Sequence, residues 1–262
     1  MNDDILLLEQ PTSSVDNKIK REVFDYGLDT SKKKKGKINP DLLQPPFVMI
    51  LSAPRGSGKS TLTHTLLTSK EYYKGVFDYI IFLSPTLNLN DDYSDIKEDH
   101  DKVYKFDKIT DFNAIINELI DTQTSMVKSV KKKKTPQVLI IADDIIDSDL
   151  LRRSDKAPIA TIAHRGRHIN ISIIYCVQKL SSIPRLVRLN ADGLILFATS
   201  NYSELEQFLE QYVPKRKRCK LRDKLMDVYE EPFNFIFVNN QIRSLSKRLR
   251  IKFSDILELN NC

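Results

Sequence analysis

The residues best suited to chemistry lie in one short segment, 53–60, which reads Ala-Pro-Arg-Gly-Ser-Gly-Lys-Ser. Its spacing matches G-x-x-x-x-G-K-[ST], except that Ala53 stands at the first glycine position. Small residues allow successive backbone N–H groups to curl around a phosphate, and a following helix adds the positive partial charge of its N-terminus. Because an apolar run precedes the segment and a helical pattern follows it, the spacing predicts a phosphate-binding loop.

Two residues of this loop have specific tasks when a triphosphate is bound. Lys59 brings a positive charge to the β- and γ-phosphates, and the Ser60 hydroxyl group can ligate Mg²⁺. The loop as a whole surrounds the phosphates. The predicted nucleotide-binding residues are therefore Ala53, Pro54, Arg55, Gly56, Ser57, Gly58, Lys59, Ser60 and Thr61.

A pair of adjacent acids, Asp143 and Asp144, ends the apolar run 138–142. A carboxylate at the C-terminal end of a central strand can hold Mg²⁺, which assigns Asp143 to the metal. The neighbouring carboxylate faces the other way and can polarise an attacking water, which assigns Asp144 to the general base. Gln178 ends the next apolar strand, where its amide can hydrogen-bond the γ-phosphate or the attacking water. A polar turn exposed to solvent is the simpler alternative at both places.

Three arginines could complete the site: Arg165 and Arg167 in a turn before the Gln178 strand, and Arg188 before the next strand. An arginine that reaches a transferring γ-phosphoryl group raises the rate by about 10³–10⁵. A turn residue of one subunit reaches a neighbour's nucleotide only in a ring. Arg167 and Arg188 are therefore candidate catalytic residues between subunits, and a surface ion pair is the alternative for each arginine.

The elements that must position these residues are short β-branched runs separated by amphipathic stretches. Most of the runs are continuously apolar, which is typical of strands buried on both faces of a parallel sheet. The predicted strands are 47–52, 79–84, 137–143, 171–178, 193–199 and 233–239, and the predicted helices are 60–68, 110–130, 203–212 and 221–229. This alternation predicts a three-layer α/β domain with a mostly parallel central sheet.

Composition favours a globular chain that does not cross a membrane. The 262 residues are 41% hydrophobic and 29% charged, as in globular chains, and their apolar runs are too short to cross a membrane. No apolar leader opens the sequence and the three cysteines are scattered, which predicts a reducing compartment and no secretion.

The sequence also predicts how the chain is divided. We expect a polar, poorly ordered segment over 1–45 with one short helix at 20–26, a catalytic domain over 46–240 and a basic extension over 241–262.

The charge balance permits a polyanionic partner, since the formal net charge is +6 and the pI is about 9.0. Two basic runs, 131–134 and 215–222, could contact the phosphates of double-stranded DNA without reading its sequence. Neither run contains aromatic residues, which argues against a stacking platform for single strands. A solvated loop or a localisation signal is the alternative for each run.

The order of these features resembles a known family. The features are the phosphate loop, the strand that ends in Asp143-Asp144, the segment Gly166-Arg167-His168-Ile169-Asn170, the strand that ends in Gln178, and Pro184 followed by Arg188-Leu189-Asn190-Ala191-Asp192. Over residues 47–239 the chain resembles the genome-packaging ATPases of poxviruses and related large DNA viruses and virophages, within the FtsK–HerA group of P-loop motor ATPases. The phosphate loop is common to many families, whereas the Gly-Arg-His-x-Asn segment before a strand ending in Gln is much more specific.

The resemblance implies a three-layer P-loop NTPase fold of the additional-strand, catalytic-acid type. It implies a hexameric or pentameric ring that hydrolyses ATP with Mg²⁺ to pull double-stranded DNA into a preformed capsid. Gln178 would act as a sensor, an arginine would act between subunits, and capsid vertex proteins would be partners, with no membrane partner. The site of action would be a cytoplasmic or nuclear assembly site in the host cell, with the virion as an open alternative. The chain departs from the pattern at Ala53, at Asp144 where many such motors carry Glu, and in its lysine-rich N-terminal segment.

Two other functions fit the same motifs. A small-molecule kinase of nucleosides or nucleotides also combines a phosphate loop with a parallel sheet, but it needs no second acid to activate water. The acidic pair and Gln178 therefore favour hydrolysis over phosphoryl transfer to a small molecule. The third interpretation is a nucleotide-gated scaffold that binds ATP and hydrolyses it poorly.

Overall fold

The computed structural model describes residues 38–87, 93, 96, 103–145 and 157–257. The chain divides into two units, Met1–Ser31 and Lys32–Cys262. The first unit, and with it the helix predicted at 20–26, lies outside the described residues. The sheet, its helices and the phosphate loop all belong to the second unit.

A single sheet forms the centre of the described structure. Its strands are β1 (Val48–Ser52), β2 (Tyr79–Leu83), β3 (Val103–Phe106), β4 (Val138–Asp143), β5 (Ile171–Val177), β6 (Gly193–Phe197), β7 (Phe235–Asn239), β8 (Leu249–Ile251) and β9 (Asp255–Ile256). Their order is β3-β2-β4-β5-β1-β6-β7-β8-β9. The pairs from β3 to β6 are parallel and those from β6 to β9 are antiparallel. This mostly parallel sheet confirms the predicted fold class and the six predicted strands.

Burial explains why the apolar runs form the middle of the sheet. Every residue of β1, β2, β4, β5, β6 and β7 is buried. A strand that is covered on both faces accommodates a continuous apolar run, whereas a strand with one wet face would alternate. Helices therefore cover both faces of the sheet, which gives the three layers that the alternation predicts.

The helices of the described residues are α1 (Lys59–Thr68), α2 (Ile109–Val130), α3 (Pro158–Arg165), α4 (Arg185–Leu189), α5 (Tyr202–Tyr212), α6 (Arg218–Glu230) and α7 (Leu245–Arg248). Short 3₁₀ turns cover Lys132–Lys134, Gly166–His168, Leu180–Ser182 and Lys215–Lys217. The four predicted helices are confirmed as α1, α2, α5 and α6. In the part of the chain that the structure describes, no helix combines the length and the apolar character that a bilayer crossing requires.

Three short edge strands are additions to the prediction. β3 has four residues and is only partly buried, β8 has three residues, and β9 has two residues that are both exposed. Runs this short carry too few apolar positions to be distinguished from loops by their pattern. β8 and β9 lie in the segment predicted as a basic extension, so residues 249–251 and 255–256 of that segment are part of the sheet.

The chain before the predicted domain boundary also belongs to the folded core. Leu42 and Leu43 are buried in the main hydrophobic cluster. The backbone N–H group of Gln44 donates to Gln241 Oε1 at 2.7 Å, and Gln241 Nε2 donates to Gln44 O at 3.0 Å. These reciprocal bonds join the residues before β1 to the residues after β7, so the described domain is wider than the expected range 46–240.

A buried arginine joins the same two regions. Arg250 in β8 is 5% exposed, and its Nη2 donates to Asp41 Oδ1 at 2.6 Å. Its Nη1 donates to Ser254 O at 2.9 Å. A charged side chain can be buried here because its two terminal nitrogens are matched by a carboxylate and a carbonyl group, although Nε has no partner among the described residues. The positive charge of the C-terminal segment at this position is therefore structural.

Replacement of Leu43 by Ala tests whether the residues before β1 belong to the core. Leu43 is fully buried, and its Cδ1 lies 2.6 Å from the place where a Cβ on Gly193 would stand. We expect Leu43→Ala to lower the free energy of unfolding by about 2–5 kcal/mol in urea denaturation. The control Leu189→Ala, at a side chain that is 57% exposed, should change it by less than about 0.5 kcal/mol. Equal effects of the two substitutions would contradict this assignment.

Candidate active site

The phosphate loop connects β1 to α1 at the carboxyl end of β1. Gly56 and Gly58 have φ angles of 77° and 91°, a left-handed conformation that favours glycine. Gly58 is also the N-cap of α1, where no side chain caps the helix. The first N–H groups of a helix have no partner within it, so those of Lys59, Ser60 and Thr61 form a donor site for an anion.

Ala53 supports this loop from the sheet. Its N–H group donates to Val177 O at 2.9 Å, which extends the pairing of β1 with β5, and its side chain is fully buried. The Ser57 hydroxyl group closes the loop by donating to Pro54 O at 2.6 Å. Of the predicted nucleotide-binding residues, Ala53 therefore anchors the loop through its N–H group, while Arg55 lies exposed at the loop surface.

Lys59 joins the phosphate loop to the acidic pair at the end of β4. Its Nζ lies 2.7 Å from Asp144 Oδ1 and 3.0 Å from Asp143 Oδ1. Burial alone would lower the pKa of Lys59, but the attraction of Asp143 and the hydrogen bond to Asp144 outweigh it, so the pKa is raised. Lys59 therefore stays charged, at a place where a phosphate can compete with the two carboxylates.

The carboxylate of Asp143 is buried, and its two oxygens have different surroundings. Oδ2 accepts a hydrogen bond from the Tyr93 hydroxyl group at 3.4 Å. Within the described part of the chain, Oδ1 has no partner besides Lys59 Nζ, which lies 3.0 Å away. Burial raises the pKa of Asp143, and the positive charge of Lys59 opposes that rise. A buried carboxylate oxygen with unused acceptor capacity suits a hard cation such as Mg²⁺.

Asp144 follows β4 in a left-handed conformation, with φ 50°. Its N–H group donates to Cys176 O at 3.2 Å, which holds the turn against β5. Aspartate tolerates this conformation better than most residues. The side chain of Asp144 is 30% exposed, against 6% for Asp143. One acid that water can reach beside one that is buried suits the predicted division into base and metal ligand.

Gln178 directly follows β5, and its Nε2 lies 3.5 Å from Asp144 Oδ1. The segment after it is held by Glu204, a buried acid of α5 that the sequence analysis missed. Glu204 accepts hydrogen bonds from the N–H group of Leu180 at 2.5 Å and from that of Ser181 at 3.1 Å. Gln178 therefore projects from an anchored stretch of backbone beside the acidic pair.

Arg188 lies in α4 and reaches back to this anchored stretch. Its Nη1 donates to Leu180 O at 3.2 Å and to Ile183 O at 3.0 Å. Burial lowers the pKa of Arg188, although nearby Tyr212 and Glu204 oppose the shift. Within this chain Arg188 therefore stabilises the backbone that follows Gln178. Reaching a neighbouring subunit's phosphate would require it to give up these bonds.

Arg167 lies in the 3₁₀ turn before β5, and Arg165 is the last residue of α3 instead of part of a turn. The exposed Arg167 donates from Nε to His168 Nε2 at 3.4 Å. The seven residues of β5 separate this turn from Gln178, a distance of roughly 20 Å at about 3.3 Å per residue. Arg167 thus lies at the edge of the sheet opposite to the phosphate loop of its own chain.

Tyr93 is a site residue that the sequence analysis missed. Its hydroxyl group donates to Asp143 Oδ2 at 3.4 Å, and the side chains of Ser60 and Thr63 lie near it. The ring packs on Phe82 with 4.9 Å between the ring centroids, and burial raises the pKa of the hydroxyl group. No motif marks Tyr93, because it lies between β2 and β3, far along the chain from both the loop and the acids.

The fold and the geometry of the site define this chain as a three-layer P-loop NTPase domain. The chain belongs to the Poxvirus A32 protein family, whose profile matches residues 36–244. This confirms the family resemblance that the motifs of the sequence indicate.

The curated relatives of this chain share less than one third of its residues in the aligned regions. DNA packaging protein OPG160 of Variola virus is 29% identical over 193 residues, which cover 72% of this chain and 66% of the relative. DNA packaging protein OPG160 of Monkeypox virus is 29% identical over 190 residues, with coverage of 71% and 58%. Uncharacterized protein 015R of Frog virus 3 is 23% identical over 196 residues, with coverage of 74% and 56%. The chain thus spans somewhat less than two thirds of the length of these relatives.

Solved structures of viral packaging proteins share the fold. The genome packaging NTPase B204 from Sulfolobus turreted icosahedral virus 2, in complex with ATP-gammaS, matches with a TM-score of 0.54 and 19% identity, over 82% of this chain and all of that chain. B204, the DNA-packaging ATPase from Sulfolobus Turreted Icosahedral Virus, matches with a TM-score of 0.56 and 18% identity, over 80% of this chain and 98% of that chain. At 18–19% sequence identity, these structural matches show that the fold is shared.

Replacement of Gly58 by Ala tests whether this loop binds phosphate. The φ of 91° strains any L residue, and a Cβ would lie 3.3 Å from the Phe233 ring, so the N–H groups at the start of α1 must shift. We expect Gly58→Ala to weaken binding of Mg²⁺ tripolyphosphate at least about tenfold by calorimetry, which is the loss of one hydrogen bond to a charged group. Gly75→Ala is the matched control, because Gly75 has φ 70° and lies outside the loop. Equal affinities of the two variants would contradict the assignment.

Proposed function

We propose that this chain is an ATP-hydrolysing motor that packages double-stranded viral DNA into a preformed capsid. The observation that carries this proposal is the contact of Lys59 with both Asp143 and Asp144, with Gln178 beside Asp144. Hydrolysis requires a phosphate clamp, a metal ligand and a group that activates water in one place. The relatives named DNA packaging protein support DNA as the load, and they favour the motor over a small-molecule kinase.

Nucleotide binding begins with an exchange of partners at Lys59. The phosphates enter between the loop and the acidic pair, where the N–H groups at the start of α1 donate to them. Lys59 Nζ then gives up part of its attraction to the carboxylates and binds phosphate oxygens. Since Nζ starts 2.7 Å from Asp144, the exchange also frees that carboxylate to act on water.

Ser60 and Asp143 would hold Mg²⁺ together with phosphate oxygens of the nucleotide. Their fit to the ion rests on the buried Asp143 Oδ1, which has no described partner besides the Lys59 ammonium group, and on the Ser60 hydroxyl group at the start of α1. When bound, the ion supplies positive charge that offsets the charge developing on the terminal phosphate. Tyr93 donates to Asp143 and lies near Ser60, so it restricts the orientation of the Asp143 carboxylate beside Ser60.

Asp144 is the proposed base for hydrolysis. Its partly exposed carboxylate accepts a proton from the attacking water, and the neighbouring Gln178 amide orients that water or reports the presence of the γ-phosphate. An arginine of an adjacent subunit completes the site. The exposed Arg167 suits this task better than Arg188, which is bound to two backbone carbonyl groups.

Movement along DNA requires sequence-independent contacts with the duplex, and the basic runs are the proposed contacts. All four lysines of 131–134 are exposed. In the second run, Arg218 donates to Val213 O, and Arg222 pairs with Glu206, so these two cations are occupied within the chain. We propose a hexameric or pentameric ring that acts with capsid vertex proteins at an assembly site in the infected cell.

Replacement of Asp144 by Asn tests the motor directly. Asn also tolerates φ 50°, so the variant should fold and bind MgATP with nearly the parent affinity. We expect the parent to hydrolyse ATP faster when double-stranded DNA is added, and the variant to lose at least about 100-fold in turnover, as expected for loss of a general base. Turnover is measured by phosphate release with and without DNA.

The control is Asp223→Asn, at an exposed acid of α6, which should leave turnover unchanged. Turnover that is negligible in the parent and equal in Asp144→Asn would favour the scaffold interpretation. Phosphorylation of a nucleoside in a panel of acceptors would favour the kinase. Either result would overturn the proposed function.

A further inference from the structure

Phe233 lies in the turn between α6 and β7 and has two unfavourable properties. Its side chain is 67% exposed, although a large apolar ring gains free energy when it leaves water. Its backbone has φ 62°, a left-handed conformation that is an outlier for a bulky residue. Strain of this kind persists when the surrounding structure imposes it, and it concentrates at ligand-binding sites.

The residues that follow Phe233 impose its conformation. The side chain of Asn234 is buried and donates to Val228 O at 3.0 Å and to Glu231 Oε2 at 3.2 Å. Phe235, the first residue of β7, is buried against Phe197 with 5.1 Å between the ring centroids. With both following side chains fixed in the interior, the turn holds the Phe233 ring outside the core.

The exposed ring lies against the phosphate loop. Its Cδ1 and Cε1 are 3.3 Å and 3.9 Å from the position that a Cβ on Gly58 would occupy. Gly58 immediately precedes Lys59 and caps α1, so the ring stands next to the predicted position of the phosphates. Apart from the chain neighbours of Gly58, no other described residue comes as close to that position.

The order of the strands determines which end of a nucleotide would meet this ring. Lys59 meets the acidic pair at the end of β4, and Gln178 follows β5, so the terminal phosphate lies on the β4–β5 side of β1. β6 and β7 lie on the other side of β1, and Phe233 lies two residues before the start of β7. A nucleotide whose γ-phosphate faces the acids therefore extends its nucleoside towards Phe233.

We propose that Phe233 is the residue on which the base of the bound nucleotide stacks. The inference rests on nucleotide binding by the loop, as in the proposed function, and adds the recognition of the base. A phenyl ring offers a flat apolar face and no hydrogen-bonding group, so it stacks on any base. The site would therefore gain affinity from a purine base without distinguishing ATP from GTP through this contact.

A tryptophan placed at this position reports stacking directly, because the chain contains no tryptophan of its own. We expect MgATP and MgGTP to quench the fluorescence of Phe233→Trp, and Mg²⁺ tripolyphosphate, which has no base, to leave it unchanged. Met226→Trp is the matched control, since Met226 is 63% exposed on α6, and its fluorescence should respond to none of the three ligands.

Calorimetry separates the base contact from the phosphate site. We expect Phe233→Ala to weaken MgATP binding roughly 5- to 150-fold, the range for loss of one stacked base, with tripolyphosphate binding unchanged. Phe233→Leu keeps the apolar bulk without the aromatic face and should lose most of the same affinity, whereas Phe233→Tyr should retain it.

Each other outcome would overturn the proposal. If Phe233→Ala binds MgATP as tightly as the parent, or if saturating MgATP leaves the Phe233→Trp signal unchanged, Phe233 does not stack on the base. If Phe233→Ala loses tripolyphosphate binding as well, the ring supports the loop and not the base. If the parent binds neither MgATP nor tripolyphosphate, the proposed function fails together with this inference.

Discussion

The ion cluster of Lys59, Asp143 and Asp144 is the interaction on which the rest of the site depends. It connects two elements that are separated in the sheet by β5, namely the loop after β1 and the end of β4. Bringing such charges out of water costs about as much as their attraction returns, so the cluster adds little net stability to the fold. Its effect is to fix the position of the Lys59 ammonium group beside the two carboxylates. Lys59 keeps its charge there, so an entering phosphate contacts a cation, the N–H groups at the start of α1 and a carboxylate without a large rearrangement.

The sheet explains why these groups meet. β4, β5, β1 and β6 are neighbours in this order and all run in the same direction, so the loop after β1, Gln178 and the acids at the end of β4 lie at the same edge. Ligands of open parallel sheets bind at this carboxyl edge. The antiparallel strands β7 to β9 complete the other flank, where Phe233 faces the loop. The parallel half of the sheet thus carries the proposed hydrolytic groups, and the antiparallel half carries the proposed contact with the base.

Local patterns were sufficient to predict the central strands, the loop and the acidic pair, because each depends on neighbours in the sequence. Long-range pairing was not predictable in this way. Arg250 reads as part of a basic extension, and only the fold shows that it is buried against Asp41. Tyr93 carries no motif, and its role follows from its contact with Asp143. Phe233 was predicted as the first residue of a strand, whereas β7 begins at Phe235 and leaves the ring free to meet Gly58. An aromatic residue beside an apolar run looks the same in sequence whether it faces the core or a ligand.

Titration of MgATP into the parent and into Lys59→Met tests the central claim most directly. Met preserves the length and apolar stem of the lysine and removes its charge, and Lys70→Met supplies an exposed control just after α1. Circular dichroism confirms that each variant is folded. Lys59→Met should bind MgATP roughly 10- to 100-fold more weakly than the parent, the loss expected for a hydrogen bond to a charged group, while Lys70→Met should bind like the parent. Equal affinity of Lys59→Met and the parent would show that the lysine between the acids does not receive the nucleotide's phosphates.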